Sequence, residues 1–111
     1  MNGNKKIINY PTNHYVCNVV INERWFVELG ISQYYKTKPG HSTVSDEVIQ
    51  ELVKQLYGRR FKRDENGYFS FDLLYIDYRA YKLVWDYDEL SLAITLLIIN
   101  CHREKKYDKK K

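Results

Sequence analysis

Three histidines (His14, His41 and His102) and a scattered set of arginines and lysines are the side chains here best suited to chemistry near neutral pH. Histidine titrates close to neutrality and can take or give a proton. Arginine grips two phosphate oxygens in one fixed fork. Metal-free RNA cleavage asks for little more: a base for the 2′-hydroxyl, an acid for the leaving 5′-oxygen, and cations around the crowded phosphorane. The candidate catalytic residues are His41, His102, Arg103 and Tyr107, and the candidate RNA-binding residues are Arg59, Arg60, Lys62, Arg79 and Lys82. Each has a plainer reading. His102 and Arg103 end an apolar run, and Arg59 and Arg60 follow a helix C-terminus, where cations offset the dipole. His41 sits in a Pro-Gly turn, Arg79 and Lys82 flank a hairpin, and Tyr107 belongs to a charged tail.

Other chemistries find no support in the spacing. The chain has no glycine-rich phosphate loop, no His-Glu-x-x-His and no nucleophile elbow. Its histidines lack metal-ligand spacing, so neither a metal nor another cofactor is expected. Cys17 and Cys101 lie far apart in apolar runs and read as free, buried thiols in a reducing compartment. Residues 102–111 contain six of the 18 basic residues and two of the 14 acids, which accounts for the whole net charge of +4. A second basic cluster, "GRRFKR", surrounds Phe61. Tyrosine is abundant, at 11 residues against four phenylalanines and two tryptophans. The N-terminus has no apolar stretch fit for a signal peptide, and Leu90–Ile99 is roughly half of a membrane span. A cytoplasmic protein without membrane contact is expected.

The elements that must position these residues form one small domain. Residues 1–14 read as a loosely ordered segment with a strand fragment at 7–10, residues 15–103 as the domain, and residues 104–111 as a basic tail. "YVCNVVI" (15–21) has the β-branched and aromatic content of a strand. In the next stretch Trp25, Phe26, Leu29 and Tyr34 suit a short helix over 23–29, interrupted by Gly30 and ended by Pro39-Gly40. Val48, Ile49, Leu52, Val53, Leu56 and Tyr57 recur at helical spacing and predict a helix over 46–57. Ser45 is its N-cap, Val44 and Ile49 can form a staple, and Gly58 its C-cap. Strands are predicted at 68–76, 81–85 and 90–102. The last is apolar on both faces from Ala93 to Ile99, which marks it as central. The expected fold is α+β, with one principal helix on a twisted antiparallel sheet of about four strands.

One longer pattern stands out in "YKLVWDYDELSLAITLLIINCHREKKYDK", residues 81–109. It comprises Tyr81-Lys82-Leu83-Val84, a turn with acids and tyrosine, an aliphatic strand ending at His102, then Glu104, Tyr107 and Asp108. This segment resembles the RelE/HigB group of bacterial toxin ribonucleases, with two extra lysines between Glu104 and Tyr107. The N-terminal half departs from that group, and the wider set of RNase toxins that resembles barnase and colicin-type nucleases accommodates such an N-terminus more easily. The resemblance implies a cytoplasmic toxin, a metal-independent endoribonuclease acting on messenger or transfer RNA, free or ribosome-bound. It also implies a cognate antitoxin or immunity protein as partner. The competing expectation is a non-enzymatic binding protein: an immunity protein, a nuclease inhibitor or an RNA-binding module.

Overall fold

Strand β1 (Thr12–Ile21) returns as β2 (Arg24–Ser32) through a two-residue turn, with Asn22 and Glu23 at φ of 55° and 63°. Two successive left-handed residues give a hairpin turn whose twist matches its strands. The helix expected over 23–29 is therefore a strand. The Ile94 carbonyl accepts from both Val27 N–H (3.0 Å) and Glu28 N–H (3.1 Å), and the β1–β2 register shifts between Val16 and Val19. Against Ile94 the bulge doubles Val27 and Glu28 on β2 and resets that strand's alternation by one position, whereas between β1 and β2 the extra residue is on β1, where Cys17 and Asn18 stand opposite Val27. Phe26, Leu29 and Ile31 thereby all face the core, imitating helical spacing. The computed structural model describes residues 11–37, 44–90 and 94–110. The expected strand fragment at 7–10 and the Pro39-Gly40 turn lie outside them.

A 3-10 turn (Tyr34–Thr37) follows, then helix α1 (Asp46–Lys54). Ser45 caps α1 by accepting from Val48 N–H at 3.3 Å, while Asp46 and Glu47 put negative charge in its first turn. Ile49, Leu52, Val53 and Leu56 are all buried, as their spacing requires. Past Lys54 the N–H groups of Gln55, Leu56 and Tyr57 bond carbonyls three residues back, and Gly58 turns the chain at φ 78°. This ending touches both edges of the sheet. Gly58 N–H bonds the Val20 carbonyl of β1 at 2.6 Å, and the Gln55 side chain bonds the Tyr75 carbonyl on the opposite edge at 2.7 Å. The sheet curls around α1.

The remaining strands are β3 (Phe69–Ile76), β4 (Arg79–Asp86) and β5 (Thr95–Arg103). The order is β1-β2-β5-β4-β3, with β2 parallel to β5 and every other pair antiparallel. The sheet is thus five-stranded and mixed rather than four-stranded and antiparallel. The added strand is β2, and its parallel pairing is reached by the long path through α1 and the β3–β4 hairpin. The central place of β5 agrees with its two apolar faces. Arg63 of the "GRRFKR" cluster locks the far end: it bonds Asp86 and Glu89 at 2.7 Å each and lies 4.4 Å over the Phe69 ring. Among the described residues, no helix is long and apolar enough to cross a membrane.

Candidate nucleic-acid interface

The β4–β5 register sets His102 opposite Lys82, and Arg103 opposite Tyr81. Successive strand residues point to opposite faces. His102 and Lys82 therefore stand on the face away from α1, half-exposed, while Arg103 lies on the helix side with buried Tyr81. The two candidates adjacent in sequence are not brought together. The His102 Nε2 is 3.0 Å from Glu104 Oε1, two residues on and on the same face. The Arg103 guanidinium sits 5.5 Å from the Tyr81 ring centre and donates to the Asp108 carboxylate.

Residues 104–110 lie along the start of β4, beyond the end of β5. Glu104 N–H bonds the Ala80 carbonyl (2.9 Å), residues Lys105–Tyr107 loop out as a 3-10 turn, and Lys109 N–H bonds the Tyr78 carbonyl (2.8 Å). Between them the Asp108 carboxylate accepts the Ala80 N–H at 2.7 Å, standing in for a strand carbonyl. Tyr75 pairs with Ala80, and its hydroxyl reaches across that small residue to the Tyr107 carbonyl at 3.0 Å. Ala80 is fully buried.

This docking gathers cations and aromatic rings at one corner. Lys109 Nζ is 4.3 Å from the Tyr75 ring centre, Lys106 Nζ 5.1 Å from Tyr107, and the Arg79 guanidinium 5.7 Å from Tyr78. Lys105, Lys106, Tyr107, Lys109 and Arg79 are exposed. Positive groups interleaved with exposed Tyr107 and half-buried Tyr75 and Tyr78 can neutralise phosphates and offer stacking surfaces to bases. His102, Glu104 and Lys82 adjoin this corner on the open sheet face.

The other candidates fall elsewhere. Arg59 lies over the Phe71 ring (4.5 Å) and the Phe61 ring (5.4 Å), beside its bridge to Ile21. Arg60 pairs with Glu23, and exposed Lys62 lines a shallow pocket with Asn22 and Phe61. These three surround the β1–β2 turn, at the opposite end of the sheet from Arg79, Lys82 and His102. His41 lies outside the described residues.

A polar cluster of a different kind has no signature in the sequence. Asp46 is buried and accepts from Tyr15 OH (2.6 Å), Lys36 Nζ (2.7 Å) and Asn13 Nδ2 (2.8 Å). Burial pushes its pKa up, but the bonds from Asn13, Lys36 and Tyr15 outweigh this and hold the carboxyl below its ordinary range. The same bond to Asp46 raises the Tyr15 pKa. Its three donors fasten α1 to β1 and the 3-10 turn. Of the thiols, Cys101 is fully buried and pushed up to about 12 by burial. Cys17 is only half-buried, where a buried thiol was expected.

No family model, curated protein or solved structure matches this chain.

Proposed function

We propose that this protein binds RNA through the corner formed by the β3–β4 hairpin end and residues 104–110. One observation carries the reading: the basic segment is docked, so Lys106, Lys109 and Arg79 are held beside Tyr107, Tyr75 and Tyr78. A preordered set of cations and rings binds a flexible polyanion at lower entropic cost than a free tail. Fluorescence anisotropy with a labelled RNA oligonucleotide across a salt series tests it. Lys106→Gln with Lys109→Gln should lower the slope of log affinity against log salt by roughly 1.4, since each phosphate contact in single strands contributes about 0.7. Absent binding at low salt, or an unchanged slope in the double variant, refutes the proposal.

A second reading, cleavage of the bound RNA, draws on the His102–Glu104 pair beside Lys82. A histidine oriented by a carboxylate is a workable proton-transfer group, and a neighbouring lysine can offset phosphorane charge. On this reading the protein is a metal-independent endoribonuclease of the RelE/HigB-like toxin kind, in the cytoplasm, restrained by an antitoxin or immunity protein. Purified protein should then cut messenger or transfer RNA, free or on ribosomes, and His102→Ala should abolish the cut while retaining binding. Arg103 takes no part in it, because it lies on the other face.

A further inference from the structure

Helix α1 is tied to β1 at both ends, by Asp46 to Asn13 and Tyr15 and by Gly58 N–H to the Val20 carbonyl. Between these ties a slot of about 400 Å³ opens to solvent. Its floor is Val19, Leu29 and Val53, each no more than 2% exposed, and its mouth carries Val16, 88% exposed, and Lys54. Cys17 forms part of the wall, its thiol donating to the Phe26 carbonyl at 3.4 Å. Volume and lining match those of small-molecule sites, which are largely apolar with a few polar groups at set places. Lys54 is the one charged residue among those lining the slot. Its pairing with Glu51, at 2.8 Å between side chains more than half exposed, is weak enough for a ligand anion to displace.

We infer that this slot binds an aliphatic monocarboxylate, its chain over Val19, Leu29 and Val53 and its carboxylate at Lys54. The site shares no residue with the corner described above and stands whether or not RNA is bound there. Titration of the full chain with octanoate, octanol and octylamine, followed by the methyl NMR signals of Val16, Val19, Leu29 and Val53, tests it. Octanoate should bind roughly fivefold more tightly than octanol, the ratio a partly exposed ion pair supplies, with octylamine weakest. Lys54→Gln, a surface change compatible with the fold, should erase the difference between octanoate and octanol. Octanoate should also slow alkylation of Cys17 by iodoacetamide. Absent methyl shifts, equal affinities for acid and alcohol in the unaltered protein, or unprotected Cys17 would each overturn the assignment.

Discussion

The Asp108 carboxylate takes the Arg103 guanidinium on one oxygen and the Ala80 N–H on the other, joining the end of β5, the start of β4 and the docked segment. Both charged side chains are three-quarters or more shielded from water. Arg103 is thereby committed to holding the segment in place.

Asp108→Ala should lower stability by about 1–2 kcal/mol, within the range for charge-assisted hydrogen bonds after allowance for partial exposure. Amide exchange at Lys109 should accelerate as its bond to Tyr78 opens. The sign of the effect on RNA binding is decisive. Removing a negative charge favours a polyanion, yet affinity should fall, because the cations and rings lose their arrangement. A rise in affinity would show that docking does not matter. Arg103→Ala should share the stability loss, so lost activity in that variant says nothing about catalysis.

Leu52 is fully buried between α1 and the sheet. Leu52→Ala should cost about 2–5 kcal/mol, the sum of lost transfer energy and the cavity left behind. Urea denaturation should show a lower midpoint with an unchanged slope.

Asp46 governs the acid side of the stability curve. Its folded pKa lies below the ordinary carboxylate value, which burial opposes and the bonds from Asn13, Lys36 and Tyr15 enforce. Its contribution is therefore complete above the unfolded pKa of about 3.9 and drains away as pH falls through the lower folded value. Asp46→Ala should be less stable than the unaltered protein by about 1–3 kcal/mol at pH 7, and the gap should begin to narrow only below pH of about 4, closing through the lower folded value. Thermal melts across pH 2–7 measure both curves.

Glu23 adopts φ 63° at the second position of the β1–β2 turn, where glycine is preferred after asparagine. Its ion pair with Arg60 is largely exposed and contributes little. Glu23→Gly should raise stability by about 0.5–1 kcal/mol, read as an increased urea midpoint.

Where local periodicity decides the structure, the sequence was enough. Six apolar residues at helical spacing mark α1, and a run apolar on both faces marks β5 as central. The bulge at Val27 and Glu28 hid β2, because one extra residue turns an alternating strand into a helix-like pattern. Parallel pairing of β2 with β5 has no local signal, since it depends on what lies between them. Within the site, period two already places neighbours such as His102 and Arg103 on opposite faces once 90–102 is read as a strand. The partners of Asp46 come from 10 to 33 positions away and no spacing rule connects them.

The parallel contact of β2 with β5 also sets the order of assembly. Leu29 meets Leu96 and Ile31 meets Ile98, across some three-fifths of the chain, and the strand between the two hairpins is the last of the five to leave the ribosome. Until it emerges, the β1–β2 and β3–β4 ribbons can meet only through α1 and its C-terminal turn, with their inner edges unpaired. Isolated two-stranded ribbons are marginal in water, and open edges invite pairing with other chains. Nascent chains stalled before Thr95 should therefore remain protease-sensitive and chaperone-dependent, with the sheet closing in one late step.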